Sequence, residues 1–254
     1  MTRLEWKVSK YFIFKGKKIP LGEDVPRNPI RQYSPFIKKA MPLIKPLAHL
    51  HNYFFTSGFV HRTIGRWIRE NINKNSTFLD IGCGDLALRR QLPKHVTYNA
   101  FDVSFSEYIL DLALKLESVN IAIASATKIP LDENQASILT ATEVLEHIPA
   151  IDKVLTEIHR VARPDALFLV SIPNNYCYKY HVKGQHEDHH HKWMFDEFIT
   201  YLESHGLEFI KGCKKGWWIP LPSYLTGKTS YQLPITSDYE YYNTNFFFMF
   251  RVLK

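Results

Sequence analysis

The segment Phe78-Leu79-Asp80-Ile81-Gly82-Cys83-Gly84-Asp85-Leu86 limits the folds open to this chain more than any other. A short apolar run ends in an acid and then in two glycines one residue apart. Such a run reads as a buried parallel strand, and the glycines as a tight turn after it. A residue without Cβ lets the backbone come close to a ligand, and the helix N-terminus that follows offers free N–H groups. The pattern therefore predicts a nucleotide-type site at the carboxyl end of a strand. It completes neither common glycine signature: Ala87 stands where a dinucleotide site wants its third glycine, and no GK[ST] is present for a P-loop.

Strand and helix signals alternate downstream of this turn. Strands are predicted at 77–81, 97–102, 120–124, 137–141 and 167–172. Helices are predicted at 86–91, 106–116 and 151–163. In the last, Ile151, Val154, Leu155, Ile158, Val161 and Ala162 share one face, and Pro164 marks the stop. Alternation of this kind implies a parallel sheet with helices on both sides. A helix at 196–204, a strand at 207–212 and a final strand at 245–252 follow. The last two strands are joined by a non-helical, Pro/Tyr-rich insert at 215–244, so an antiparallel pair is expected. The predicted class is α/β: a Rossmann-like, seven-stranded, mostly parallel sheet with an antiparallel C-terminal pair.

Ahead of this domain, residues 1–45 hold Pro20, Pro26, Pro29, Pro35 and Pro42 among several aromatics, which predicts an irregular arm. Residues 47–72 have helical spacing, with Ser57-Gly58 dividing two helices. The chain thus divides into an extension, 1–59, and a domain, 60–254. Charge divides it the same way. Residues 1–75 carry 15 Lys/Arg against 4 Asp/Glu, and the remainder 17 against 21. A basic arm attracts anionic lipid, nucleic acid or acidic substrates. The three cysteines, Cys83, Cys177 and Cys213, are too few and too scattered for a disulfide framework or a CxxC knuckle. With no secretory leader and no span-length apolar run, the expected location is cytoplasmic, with peripheral contact to an anionic membrane through the arm.

Several separated motifs, in order, resemble the class I S-adenosylmethionine (SAM)-dependent methyltransferases, over residues 60–212. Leu79-Asp80-Ile81-Gly82-Cys83-Gly84 is similar to the first motif, and Phe101-Asp102-Val103-Ser104 to the acidic end of strand two. Ser125-Ala126-Thr127-Lys128-Ile129-Pro130-Leu131 is similar to the adenine loop, and Thr142-Glu143-Val144-Leu145-Glu146-His147-Ile148 to the fourth motif. The resemblance implies SAM as cofactor, bordered by Asp80, Gly82, Cys83, Gly84, Asp102, Ser125, Ala126 and Thr142. Asp102 has the chemistry for both ribose hydroxyls, as acids after strand two do in adenosine sites. Three positions depart from the family pattern: Leu86 replaces the third glycine, Ser125 replaces an acid, and Asp165-Ala166 replaces a glycine pair.

On the acceptor side, Glu143, His147 and His189 are the catalytic candidates. A base is needed only when the acceptor atom carries a proton. The reading adopted is metal-free transfer to a small-molecule, glycan or lipid-linked acceptor, its pocket walled by the aromatics of the insert. The alternative rests on a second resemblance, to the small-RNA 3′-end 2′-O-methyltransferases, in which two glutamates and two histidines hold a divalent metal. The matching positions are Glu143, Glu146, His147 and His189. A lesser alternative is a methyltransferase-like fold that binds a partner without turnover.

Overall fold

Phe78, Leu79, Asp80 and Ile81 are all shut off from solvent, as a strand covered on both faces must be. In the computed structural model, which describes residues 10–22, 30–31, 58–219 and 231–254, they lie in the middle of a ten-stranded sheet. Its strands are β1 (Lys10–Phe14), β2 (Lys17–Leu21), β4 (Phe78–Ile81), β5 (Tyr98–Asp102), β7 (Val119–Ile123), β8 (Ala136–Thr142), β9 (Ala162–Pro173), β10 (Leu207–Ile219), β11 (Tyr231–Leu233) and β12 (Asn243–Val252). β3 (Ile30–Arg31) and β6 (Phe105–Ser106) form a separate two-stranded pair.

The strand order is β1-β2-β7-β5-β4-β8-β9-β12-β10-β11. The seven consecutive strands from β7 to β10 form the expected core. β7, β5, β4, β8 and β9 run parallel, and β12 lies antiparallel between β9 and β10. Order reverses between β4 and β8, which makes the carboxyl ends of these two strands the natural crevice of an open sheet.

Helices pack on both faces: α1 (Gly58–Asn71), α2 (Glu107–Leu114), α3 (Ile151–Val161), α4 (Tyr178–Lys183) and α5 (Phe195–Glu203). β12 shows how one sequence feeds two apolar layers. Phe246, Phe248 and Phe250 face the layer holding α3 and Phe198, and Phe247 and Met249 face the layer holding Trp67 of α1. The period-2 alternation sends successive residues to opposite faces. Each of these buried phenylalanines contributes roughly 1.5–3 kcal/mol from the area it withdraws from water.

The structure alters several of the sequence expectations. The helix expected at 86–91 is a 3₁₀ turn, Ala87–Gln91, because Leu86 ahead of it sits in the left-handed region at φ 59° and cannot start an α-helix. The helix expected to run to Arg163 ends at Val161, and β9 begins at Ala162. The residue before a proline is pushed from helical to extended backbone, and Pro164 acts on Arg163. The strand expected at 207–212 continues to Ile219, past a bulge between Phe209 and Lys211. The insert is partly sheet: Trp217 pairs with Leu233. The arm, expected to be irregular, contributes the β1–β2 hairpin, which joins the sheet where Leu21 pairs with Ile123. The first helix expected within 47–72, and Tyr224 of the insert, lie outside the described residues.

Candidate active site

The turn after β4 is built from backbone. Gly82 and Gly84 have φ of +67° and +52°, a region that favours residues without Cβ. A Cβ on Gly82 would lie 2.6 Å from Cγ2 of Val144, whereas a Cβ on Gly84 would meet nothing within 4 Å. Gly82 is therefore pinned between strands, and Gly84 faces open space where a ligand can approach. The N–H groups of Gly82 and Cys83 donate to the carbonyl of Phe101 at 2.9 and 3.1 Å, which holds the turn against β5. Cys83 is buried beside it, and burial pushes its thiol well above the usual range, so it packs as a small apolar residue.

Asp102, at the tip of β5, faces the same turn. Its Oδ2 accepts from the N–H of Gly84 at 2.9 Å and its Oδ1 from the N–H of Ser104 at 3.2 Å. Each carboxylate oxygen has a second lone pair, so two hydroxyls can still be received there. The turn and the acid are thus joined on one edge. Asp80 lies beneath them and is 2% exposed. Tyr98 donates a short hydrogen bond to its Oδ2, and Thr140 donates to Oδ1 at 2.7 Å. Burial pushes this carboxyl up to about 7. Its hydrogen bonds tie β4 to β5 and β8 in the sheet interior.

Beyond β7, Ser125 Oγ pairs with Thr127 Oγ1 at 2.7 Å and accepts from the Thr127 N–H at 3.2 Å. That hydroxyl is engaged within its own loop, and Ala126 beside it is buried. At the end of β8, the Thr142 hydroxyl is enclosed without a hydrogen-bond partner.

The acceptor half is built from side chains. Glu143 has φ 54°, a conformation that costs a non-glycine residue on the order of 1 kcal/mol. Its oxygens accept from Ser171 Oγ at 2.7 Å and Asn245 Nδ2 at 2.8 Å. Burial pushes it up to about 7, opposed by these two bonds and by the Lys179 charge. Glu146 is 1% exposed, and its Oε2 has no hydrogen-bond partner. Burial, and then the nearby Glu143, push it well above the carboxylate range. His147 Nε2 is 3.7 Å from Glu146 Oε1, and its Nδ1 lies 3.0 Å from the carbonyl of Asp188.

The loop between α4 and α5 brings His189 over this segment. The N–H groups of His190 and His191 donate to the carbonyl of Glu146 at 2.8 and 3.3 Å. The rings of His147 and His189 are 4.8 Å apart, and His189 Nδ1 lies 2.7 Å from Oδ1 of Asn175. Burial, then the neighbouring His147 and His186, push His189 down to about 4, so the imidazole is neutral near pH 7. Glu146, His147 and His189 each offer one ligand atom, all within 4.8 Å of one another.

The structure therefore brings together two groups of predicted residues on adjacent strand ends: Asp80, Gly82, Cys83, Gly84 and Asp102, and Thr142, Glu143, Glu146, His147 and His189. Sequence reasoning missed Val144 as the wall behind Gly82, and Ser171, Asn175 and Asn245 as the groups that aim Glu143 and His189. Asn175 carried a signal, since it follows Pro173-Asn174 at a strand end. Asn245 carried none, because it sits inside a strand pattern.

Comparison with known proteins agrees with this arrangement. Residues 79–170 match the family model described as "Methyltransferase domain". A 24-methylenesterol C-methyltransferase of Arabidopsis thaliana is 28% identical over 105 residues, 39% of this chain and 29% of that protein. A ubiquinone/menaquinone biosynthesis C-methyltransferase, UbiE, of Rickettsia bellii is 29% identical over 117 residues, 41% of this chain and 46% of that protein. The chain spans less than half the length of these curated relatives. Among solved structures, the 1,6-didemethyltoxoflavin-N1-methyltransferase of Burkholderia thailandensis, bound to its substrate and S-adenosylhomocysteine, superposes with a TM-score of 0.53 at 15% identity, covering 96% of this chain and 99% of that one. The likeness to the solved structure lies in the fold, and the match of residues 79–170 to a methyltransferase-domain model supports a class I SAM-dependent methyltransferase core.

Proposed function

We propose that this protein methylates a small-molecule, glycan or lipid-linked acceptor, using SAM held over the ends of β4 and β5. The observation that carries this reading is the hydrogen bond from the Gly84 N–H to Asp102, which joins the open turn and the ribose-type acid in one cradle. The residues fit the group: Gly84 leaves room for a ligand, and Asp102 retains acceptor capacity for two hydroxyls. Bound SAM supplies an activated methyl group, so the chain's task is alignment and exclusion of water. Glu143, braced by Ser171 and Asn245, is the base that takes the proton of a hydroxyl, amine or carbon acid. Neutral His189, aimed by Asn175, orients the acceptor beside His147. The two curated relatives, which are named as C-methyltransferases of a sterol and of quinones, support an apolar or lipid-bearing acceptor.

The test incubates the full chain and labelled methyl donor with separate lipid, glycan and small-metabolite extracts. Label in one fraction, lost in Asp102→Ala, supports the reading. Failure of the chain to bind SAM by calorimetry overturns it in favour of a non-catalytic binding protein.

One observation favours a second reading. The unpartnered Oε2 of buried Glu146, with His147 and His189 close by, forms a donor set of one carboxylate and two imidazoles that suits a divalent cation. Such an ion would favour a ribose hydroxyl acceptor at an RNA 3′ end. Titrating manganese into EDTA-treated protein, with single-stranded RNA as acceptor, separates the readings. Activity that returns with metal in the wild type, but not in Glu146→Gln, supports the second.

A further inference from the structure

Among the described residues, fourteen large apolar or aromatic side chains are exposed, and seven of them, Tyr176, Val182, Trp217, Ile235, Tyr239, Tyr241 and Tyr242, fall on α4, just before it, or on the 217–242 segment whose rings pack against Tyr178. The patch is ordered by its own contacts. Trp217 stacks on Tyr242 with ring centres 5.4 Å apart and planes 8° apart. Tyr241 meets the edges of Tyr242 and Tyr178. Val182 lies one turn after Tyr178 on α4, hence on the same helix face. The N–H of Gly216 donates to the carbonyl of Ile235 at 2.9 Å, which fixes that segment beside Trp217.

The patch is also fastened to the catalytic edge. Asn174, directly after β9, donates from Nδ2 to the carbonyls of Glu240 and Asn243 at 3.0 and 2.9 Å. That clamps the Glu240–Tyr242 turn to the strand end from which Asn175 reaches His189. Tyr176 is the next residue along.

We propose that this aromatic rim is a membrane-interface surface that seats the mouth of the catalytic edge on an anionic lipid bilayer. Tyrosine and tryptophan place an apolar ring and a polar tip at the headgroup level, which is why they gather at membrane interfaces. Val182 and Ile235 add aliphatic side chains that a sugar-stacking platform does not use and that acyl chains accommodate. The charge fits. Lys183 lies on α4, over the Trp218 ring. Glu240 is paired with Lys214. A bilayer in this position presents a lipid-bearing acceptor to Glu143 and His189 without the acceptor leaving the membrane. The inference takes the catalytic edge as assigned under Proposed function, but docking is measured apart from methyl transfer.

The experiment sediments the full chain with vesicles of phosphatidylcholine containing phosphatidylglycerol, beside a Val182→Glu/Ile235→Glu/Tyr239→Asp variant and Tyr239→Asp alone. These side chains are exposed and outside the catalytic and cofactor residues, so calorimetry with SAM should give wild-type affinity and confirm folding. The expected result is wild-type binding that survives about 0.5 M salt, where exposed charge pairs are screened. Partition should fall about tenfold or more in the triple variant, with a smaller loss in the single variant, because interfacial binding scales with buried apolar area. Three results would overturn the proposal. These are a wild type that stays in the supernatant, a triple variant that sediments as the wild type does, and release of both equally by salt, which leaves the basic arm as the whole attraction. Retention of the wild type on immobilised oligosaccharide without any vesicle binding would assign the rim to glycan instead. Loss of SAM binding with vesicle binding intact would indict the methyltransferase reading and leave the rim standing.

Discussion

The two halves of the catalytic edge are made of different materials. On the β4–β5 side, the ligand-facing groups are backbone N–H groups, two glycines and one carboxylate already held by two of those N–H groups. Nothing there has to reorganise. On the β8–β9 side, the groups are Glu143, Glu146, His147 and His189, and burial with neighbouring charge moves the protonation of Glu143, Glu146 and His189. The first half suits a ligand that is the same in every turnover. The second suits chemistry in which a proton must be held or released.

The largest test of this division is Gly82→Val. The added side chain would meet Val144 at well under contact distance and force an unfavourable φ. Calorimetry should detect no SAM binding, while circular dichroism still shows a folded sheet. Retained affinity would mean the turn is not the cradle.

Next is Glu143→Gln. The wild-type rate should rise as pH increases through about 7, because only the ionised carboxylate takes a proton. The amide variant should lose that dependence and about 10²–10⁴-fold in kcat, as loss of a general base does, with SAM affinity unchanged. A variant with the wild-type pH profile would remove Glu143 from the chemistry.

Asp102→Ala should weaken SAM binding by about 1.5–3 kcal/mol, from lost charge-assisted hydrogen bonds, with no change in the pH profile of the residual activity. An unaltered dissociation constant would misplace the ribose.

The last test concerns stability, away from the methyl transfer itself. Asp80 holds its proton up to about 7 in the folded protein, against about 3.9 in the unfolded chain. Between those values the folded state binds more protons, so stability falls as pH rises, by on the order of a few kcal/mol across the window. Tm measured from pH 5 to 8 should fall more steeply in the wild type than in Asp80→Asn. Equal slopes would show that Asp80 is ionised in the fold.

The same division explains what was legible in the sequence. Gly82, Gly84 and Asp102 could be read because their roles depend on local backbone and on position at strand ends. The central strands were found for a similar reason, since a buried parallel strand leaves a continuous apolar run. Leu86 was harder. It keeps the left-handed backbone of a glycine site while burying its side chain at 3% exposure, so residue type and conformation disagree there. On the acceptor side, Glu143 and His189 could be listed as candidates, but not their bracing by Ser171, Asn175 and Asn245. Those contacts join residues up to 102 positions apart and leave no local pattern. The hairpin of the arm escaped notice because proline density there outweighed the short apolar run at 11–14.

That hairpin is more than an ornament on an outer rim. Its second strand lies along β7, and Lys15 and Lys17 reach across to Asp111 and the Leu114 carbonyl of α2. It meets β7 at the Leu21–Ile123 pair, and without it that end of β7 would also lie bare, extending the kind of border on which a second molecule can zip itself. A shortened chain beginning at residue 58 should therefore clump rather than merely lose a tail. In the intact chain, a pull on β1 travels through β2 to the end of β7, the neighbour of the strand that holds Asp102.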